Sequence, residues 1–226
     1  MTERVRGKDI IMKKLVTISR QYGSGGRIIG KLLADKLGVP FYDKEIIDMA
    51  AEQSGFSREL MEGTELKAKS SFAYNLASTL SFNEGVSGSP LSVNEKLFLA
   101  QFDTIKKIGE TGEGVIVGRC ADYVLRDLPN VTNIFIYAEY EDRAKRAIEK
   151  YGDDAKKIKD IIATYDKARQ NYYNYHTSQK WGEYKNYNMA LNSSYITEEE
   201  AAYMIAAYVE HRRYRDENRD DNSGEK

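Results

Sequence analysis

The sequence predicts an α/β fold in which helices cover both faces of a parallel β-sheet. Five short apolar or β-branched runs recur along the 226 residues, and each is too short to form a helix. Segments with helical periodicity separate these runs, and strands joined by helices form parallel pairs. The predicted strands are residues 15–19, 39–42, 114–117, 133–138 and 189–192.

The first predicted strand runs directly into a glycine-rich turn, residues 23–26, and then into an amphipathic helix over residues 28–37. Glycines allow successive backbone N–H groups to point inward, and the start of the helix adds the positive end of its dipole. Phosphate is the usual ligand of such a turn. We expect the anion to lie against Arg20, Gly23, Ser24, Gly25, Gly26, Arg27 and Ile28.

The turn lacks two side chains of the standard phosphate-binding motif, which is Gly, four residues, then Gly-Lys-Ser/Thr. In the register of the following helix, Gly26 stands at the lysine position and Ile28 at the hydroxyl position. Arg27 is the cation best placed to substitute for the lysine, and Ser24 is the nearest hydroxyl inside the turn. Arg20 flanks the turn on the strand side.

The same glycines allow a second interpretation, the dinucleotide-binding pattern G-x-G-x-x-G. Gly23 and Gly25 begin this pattern, but Ile28 does not complete it. Asp43 follows about 20 residues later, at the end of the second predicted strand, where a ribose-binding acid is expected. This interpretation predicts an NAD(P)-dependent oxidoreductase and ranks second. A tight turn that binds nothing is the third alternative.

A long and mostly helical insertion, about residues 43–113, separates the second and third predicted strands and is broken by a loop at 83–90. It is too long for one crossover, so we expect a helical subdomain over the carboxyl edge of the sheet, where ligands bind in open α/β folds. Asp43 either contacts the ligand or caps a helix over residues 44–51, and it can do both.

Two helices are predicted after the fourth strand. The first covers residues 141–150 and carries Arg143 and Arg146, which at helical spacing can pair with neighbouring acids on an exposed face. The second extends to about residue 175, with Asp153 as its N-cap. A cation on a helix usually belongs to a solvated face, but several beside a phosphate turn indicate a site.

Composition excludes several classes of function. The 34 basic and 35 acidic residues leave a net charge of −1, so we expect neither nucleic acid nor a membrane as partner. One cysteine and two histidines leave no disulfide framework and little for a zinc site. No apolar run approaches ~20 residues and no signal-peptide pattern opens the chain, so we expect a cytoplasmic protein.

Several segments, taken in their order and spacing, resemble the cytidylate kinase-like proteins, a branch near bacterial cytidylate kinase among the nucleoside monophosphate kinases. These segments are residues 17–27, 41–43, 115–124, 166–173 and 180–182. The resemblance covers residues 12–209. It implies a three-layer P-loop kinase fold, with a five-stranded parallel sheet in the order 2-3-1-4-5 and a helical monophosphate-binding insertion.

The resemblance also implies the domain organisation and the ligands. A kinase domain over residues 12–211 would carry a lid at about 151–187. The sequence itself predicts a flexible extension over residues 1–11 and, from its charge and glycines, a flexible tail over residues 212–226. ATP with Mg²⁺ would place its phosphates on the glycine-rich turn, and a nucleoside monophosphate, CMP or dCMP first, would bind beneath the insertion. Self-association to a homodimer stays open.

The resemblance assigns roles to individual residues. Arg119 follows the third strand at the position of the arginine that grips the acceptor phosphate, although Cys120 replaces the aspartate that usually comes next. Arg119 pairing with an acid at the sheet edge is the structural alternative. The implied catalytic residues are Arg27, Arg119, Lys167 and Arg169, and the implied substrate-binding residues are Asp43, Arg119, Asp166 and Arg169.

Phosphoryl transfer between two phosphates suits a site of arginines and glycine amides, because the acceptor oxygen is already ionised. Alignment and charge neutralisation therefore matter more than a histidine base. The missing lysine and hydroxyl keep a further alternative open, in which the protein binds nucleotide with weak turnover or none.

Overall fold

The computed structural model of the protein describes residues 14–58 and 91–212. Within them, five parallel strands form one sheet in the order β2-β3-β1-β4-β5, as predicted. The strands are β1 Leu15–Arg20, β2 Phe41–Tyr42, β3 Gly114–Val117, β4 Val131–Tyr137 and β5 Met189–Asn192. The helices are α1 Gly26–Leu37, α2 Glu45–Ser54, α3 Val93–Thr111, α4 Ala121–Val124, α5 Tyr140–Tyr151, α6 Ile158–Thr177 and α7 Glu198–His211, with a 3₁₀ turn at Tyr184–Asn186.

Helices cover both faces of the sheet and complete the three layers of the predicted fold. On one face, α1 and α7 pack on the central strands through buried side chains such as Ile29, Leu33 and Ile205. On the other face, α2, α3 and α4 contribute to a second core that includes Ile46 and Ile105. Because β1 and β3 are buried on both sides, they show continuous apolar runs in the sequence.

The predicted strands and helices are all present, with shifted ends. β2 has two residues where four were predicted, and β4 begins at Val131 rather than at residue 133. The helix predicted over 141–150 spans Tyr140–Tyr151. Inside the predicted insertion, the described residues form helices α2 and α3. The predicted loop at 83–90 lies outside the described residues, as do residues 1–11 and nearly all of the predicted tail.

Helix α7 was not predicted, although a local signal marks its start. Thr197 caps the helix by accepting the N–H of Glu200, whose carboxylate in turn accepts the N–H of Thr197 at 2.9 Å. This reciprocal pair is a capping box, and its Thr-x-x-Glu pattern is readable in sequence. The helix supplies much of the core beneath α1, so its omission left one layer of the fold incomplete.

The prediction that Asp153 caps the second helix is wrong. Helix α6 begins at Ile158, and its N-cap, Lys157, makes no side-chain capping bond. The Asp153 carboxylate instead accepts a hydrogen bond of 2.7 Å from the hydroxyl of Tyr22 in the glycine-rich turn. A tertiary contact has therefore replaced the local cap.

Across residues 14–58 and 91–212, none of the helices combines the length and apolar character needed to cross a bilayer.

Candidate active site

The carbonyl oxygens of the turn between β1 and α1 are fixed by side-chain hydrogen bonds from other elements. Three consecutive carbonyls each accept a side-chain hydrogen bond of 2.7 Å, from Arg143 Nε to Tyr22, from Arg146 Nη1 to Gly23 and from Ser193 Oγ to Ser24. In a trans peptide, the N–H group points away from the carbonyl of the preceding residue. The turn therefore directs peptide N–H groups away from these three side chains, as an anion-binding turn requires.

Helix α1 starts at this turn without a side-chain cap. Gly23 and Gly25 have left-handed φ angles of 76° and 79°, and Gly25 is the N-cap. The first helical hydrogen bond runs from Ile29 N–H to the Gly25 carbonyl, at 3.0 Å. The preceding N–H groups of the first turn, at residues 26–28, therefore have no acceptor within the helix. This end of α1 suits a negatively charged ligand.

A cavity of about 440 Å³ opens beside the turn. Its volume lies in the range of ordinary ligand sites. All residues predicted to bind the anion line it, except Ser24, which is fully buried and donates its hydroxyl to the Gln21 carbonyl at 2.9 Å. The wall also contains Lys44 and Arg169 and the rings of Tyr151 and Tyr165. The cavity thus combines cationic side chains with apolar aromatic surface.

Asp43 interacts with two arginines of this region. Its carboxylate lies 2.6 Å from Arg27 Nε and 3.9 Å from Arg20 Nη2. Arg27 is 60% exposed, whereas the Asp43 side chain is 9% exposed. The alternative that Asp43 caps the next helix is wrong, because Lys44 is the N-cap of α2 and Asp43 is turned toward the arginines.

A second and much smaller cavity, of about 20 Å³, lies at the end of β3. We call it the slot. Arg20, Arg119 and Arg169 line it together with aromatic rings, and Arg20 and Arg169 also line the larger cavity. A slot of this volume holds about one water molecule. Two of these three arginines therefore line both cavities.

Arg119 belongs to a strained turn. Gly118, Arg119 and Cys120 have consecutive left-handed φ angles of 81°, 56° and 55°. Non-glycine residues in this conformation cost about 1 kcal/mol each and cluster at functional sites. Arg119 Nη1 donates to Gln101 Oε1 at 2.9 Å, and its Nε lies 3.4 Å from the carbonyl oxygen of Asp43.

Within the described part of the chain, Arg119 forms no ion pair with an acid, so the structural alternative for this residue is not observed.

Gln101 is a site residue that the sequence did not reveal, because it lies 18 residues away on α3 with no motif around it. Its side chain is buried, and its Nε2 has no hydrogen-bond partner among the described residues.

The predicted residues of α6 have different surroundings. Arg169 lines both cavities and donates from Nη1 to the Arg20 carbonyl at 3.2 Å. The Asp166 carboxylate pairs with Arg143 and accepts the N–H of Tyr22, so it positions the turn. Lys167 is exposed and lines neither cavity. The structure thus brings Arg169 to the site and leaves Lys167 outside it.

The expectation that Arg143 and Arg146 pair with neighbouring acids on an exposed face is wrong. Their side chains are 8% and 13% exposed, and they pair with Asp166 and Glu198 from other helices. Both also bind turn carbonyls, as described above. Buried carbonyls need donors, and this tertiary requirement has no signature in the helix sequence.

Tyr22 joins the turn to the segment after β4. Its ring stacks on Tyr165 with centroids 4.3 Å apart and meets the edge of Tyr151 at 5.8 Å. Its hydroxyl donates to Asp153, and burial together with this carboxylate raises the pKa of Tyr22. The guanidinium of Arg169 lies over the same ring, 5.6 Å from its centroid. Tyr22 therefore contacts both α5 and α6.

A buried acid anchors α6 below the slot. The Asp122 carboxylate accepts a hydrogen bond of 2.7 Å from the hydroxyl of Tyr173. Burial raises the pKa of Asp122 to about 6, although the bond from Tyr173 acts in the opposite direction. Because the folded protein holds this proton more tightly than the unfolded chain, the resulting stability is greatest below pH ~4 and is lost as the pH rises through about 6.

Asp122→Asn is expected to remove this pH dependence while keeping an oxygen that accepts from Tyr173. The free energy of unfolding of the variant, relative to the natural protein, should rise by about 2 kcal/mol between pH 4 and pH 7.5. Urea denaturation at several pH values measures this difference. Burial also lowers the pKa of His176 to about 4, so protonation of this histidine destabilises the folded protein as the pH falls toward 4. Both proteins contain His176, so its contribution cancels in the difference between them. If the free energy of unfolding of the two proteins varied with pH in the same way, the raised pKa of Asp122 would be contradicted.

The solved structures that resemble the chain include an uncharacterized protein from Eubacterium ventriosum, with 26% sequence identity, a TM-score of 0.63 and coverage of 88% of this chain and 99% of that chain. A shikimate kinase from Bacteroides thetaiotaomicron has 15% identity, a TM-score of 0.47 and coverage of 86% and 97%. A shikimate kinase from Acinetobacter baumannii, in complex with shikimate, has 11% identity, a TM-score of 0.48 and coverage of 88% and 94%.

No curated protein matches the chain. The sequence profile of the cytidylate kinase-like family matches residues 15–195, which include the turn, the strained turn after β3 and all of α6. The match spans most of the 226 residues. The chain therefore belongs to the cytidylate kinase-like family.

Proposed function

We propose that the protein transfers a phosphoryl group from ATP to a small phosphorylated acceptor, with CMP and dCMP as the first candidates. The observation that carries this proposal is that two neighbouring cavities share Arg20 and Arg169 in their walls. An uncapped helix start with inward N–H groups lies beside one, arginines line the other, and Arg20 and Arg169 line both. A donor phosphate in the larger cavity would lie beside these two arginines, and the slot would widen to admit an acceptor phosphate.

The residues of the chain would act through position and charge. N–H groups of the turn would hold the donor phosphates, and Arg119 would hold the acceptor phosphate from the strained turn after β3. Arg20 and Arg169 would neutralise charge on the oxygens between them. Closure of α6 over the slot would exclude water from the reacting groups.

Mg²⁺ would neutralise charge on the phosphates of the bound nucleotide. In the described residues, no three metal-ligating side chains form a cluster. Magnesium commonly keeps waters and phosphate oxygens as ligands and takes only one or two carboxylates, so this side-chain set is compatible with a metal that arrives with the nucleotide.

A nucleotide-binding protein without turnover is the second candidate. It is favoured by the absence of both side chains of the standard motif: Gly26 stands at the lysine position, and neither of the next two residues, Arg27 and Ile28, carries a hydroxyl. The dinucleotide alternative lacks such support, because β3 lies between β1 and β2, whereas those two strands are neighbours in the dinucleotide-binding fold.

An ADP-release assay with magnesium over the ribo- and deoxyribonucleoside monophosphates tests the proposal. We expect turnover with CMP or dCMP above that with the other acceptors. Arg119→Ala should lower kcat/KM for the acceptor by about 100-fold, because it removes a charge from the acceptor phosphate, while affinity for ATP stays unchanged.

Arg126→Ala is the matched control, since this guanidinium is 44% exposed and lies over Tyr123 outside both cavities. Absence of turnover with every acceptor would contradict the kinase proposal. Calorimetry that still detects ATP binding would then favour the second candidate.

A further inference from the structure

Compared with the standard phosphate-binding motif, the turn has a cation at the position of the first glycine and a glycine at the position of the lysine. That motif begins with a glycine six residues before its lysine. Because Gly26 occupies the lysine position, the position of the first glycine falls on Arg20. The chain therefore has arginine, four residues and Gly-Gly where the motif has glycine, four residues and Gly-Lys.

The structure shows that these two exchanges depend on each other. A Cβ atom added at Gly26 would lie 2.6 Å from Arg20 Cβ and 3.0 Å from Arg20 Cγ. Such distances are far inside van der Waals contact, so a side chain at position 26 and the arginine at position 20 exclude each other. Gly26 has no side chain, and the stem of Arg20 passes through the space beside it.

The far end of Arg20 reaches the strained turn after β3. A Cβ atom added at Gly118 would lie 2.1 Å from Arg20 Nη1. The side chain of Arg20 thus extends from the phosphate turn to the residue before Arg119, and it is only 14% exposed. It lines both the large cavity and the slot. Its position is determined at one end by Gly26 and at the other by Gly118.

We infer that Arg20 takes the role of the missing lysine, with its guanidinium contacting the transferred phosphoryl group between the large cavity and the slot. This inference rests on the proposed function and assigns to Arg20 the role that was expected of Arg27 from the sequence. A guanidinium can donate two parallel hydrogen bonds to phosphate oxygens, which an ammonium group cannot do in the same geometry.

Arg27, the substitute expected from sequence, has a different environment. Its Nε lies 2.6 Å from the Asp43 carboxylate, its side chain is 60% exposed, and it does not line the slot. Arg20 lies farther from that carboxylate, at 3.9 Å. Between the two arginines, Arg20 is the one placed where donor and acceptor would meet.

The first test compares Arg20→Ala with Arg27→Ala. Arg20→Ala should lower kcat by about 100-fold and should weaken binding of ATP at least about tenfold more than binding of AMP, because the lost contact is to the terminal phosphates. Arg27→Ala should cause a smaller loss in both measurements. Isothermal titration calorimetry with ATP and with AMP, and thermal unfolding of each variant, provide readouts besides turnover.

A second test reverses the exchange. Gly26→Lys alone should lose activity because its Cβ meets Arg20, whereas Arg20→Gly combined with Gly26→Lys restores the standard arrangement. We expect the double variant to exceed Arg20→Gly in kcat by at least about tenfold. Equal rates in these two variants, with both folded, would overturn the inference.

The tests distinguish this inference from the proposed function. If the natural protein binds ATP but transfers no phosphoryl group, the proposed function fails, while the ratio of ATP to AMP affinity still decides the role of Arg20. If turnover is found and Arg27→Ala loses more than Arg20→Ala, the inference fails and the proposed function stands. Arg126→Ala should match the natural protein in every measurement.

Discussion

Replacing Gly23 with alanine is expected to abolish ATP binding at the turn and to lower turnover by about 1,000-fold. Gly23 has a φ of 76°, and an added Cβ would lie 2.5 Å from the carbonyl oxygen of Arg143 and 3.0 Å from its Cα. The clash is with backbone at the start of α5, which cannot rotate away as a flexible side chain can. The turn must therefore shift, and its N–H groups would no longer converge.

Gly38→Ala is the matched control for this substitution. Gly38 ends α1 with a φ of 69°, and a Cβ there meets no atom within 4 Å among the described residues. It should cost about 1 kcal/mol of stability through backbone strain alone and leave ATP affinity unchanged. Calorimetry and thermal unfolding separate the two effects. Natural ATP affinity in Gly23→Ala would show that the turn is not the binding site.

Replacing Arg143 with methionine is expected to lower the free energy of unfolding by about 3 kcal/mol. The substitution removes both the ion pair with Asp166 and the hydrogen bond that Arg143 Nε donates to the Tyr22 carbonyl. Asp166 is 19% exposed, so an uncompensated carboxylate would remain largely buried. A buried charge without its partner costs several kcal/mol, which exceeds the apolar packing that methionine retains.

A double-mutant cycle measures this interaction. Asp166→Asn keeps an oxygen for the Tyr22 N–H, and combined with Arg143→Met it should recover at least about 1 kcal/mol of the loss in urea denaturation. Arg126→Met, at an exposed guanidinium, should change stability by less than about 0.5 kcal/mol. Strict additivity of the Arg143 and Asp166 substitutions would show that the pair contributes no interaction of its own.

The parts of the fold that were predictable depend on local patterns. Buried parallel strands leave apolar runs, and the glycine-rich turn followed by an amphipathic helix is a contiguous signal. The sequence therefore predicted the sheet and the glycines of the turn that line the large cavity. The order of strands came from the family resemblance. Helix α7 was missed even though its capping box is visible in the sequence at Thr197 and Glu200.

The wrong helix cap and the wrong surface ion pairs share one physical cause, which is that distant groups replaced local partners. Asp153 fits a helix cap by its position, but the hydroxyl of Tyr22 provides a better buried partner. Arg143 and Arg146 fit surface ion pairs by their spacing, but the carbonyls of the turn need donors. Gln101 has no local signal, because it enters the site only when α3 packs beside Arg119.

The contacts of Tyr22 have a consequence for the timing of ligand release. Its ring stacks on Tyr165 of α6, and its hydroxyl donates to Asp153 just before that helix. Its carbonyl accepts a hydrogen bond from Arg143, and its N–H donates to Asp166. Outward movement of α6 would displace the peptide groups of the glycine-rich turn. A ligand bound to the turn would therefore oppose this movement by the same coupling free energy with which the movement weakens ligand binding. We expect phosphate release and outward movement of α6 to occur together, with Tyr22 and the Arg169–Arg20 hydrogen bond as links between α6 and the turn.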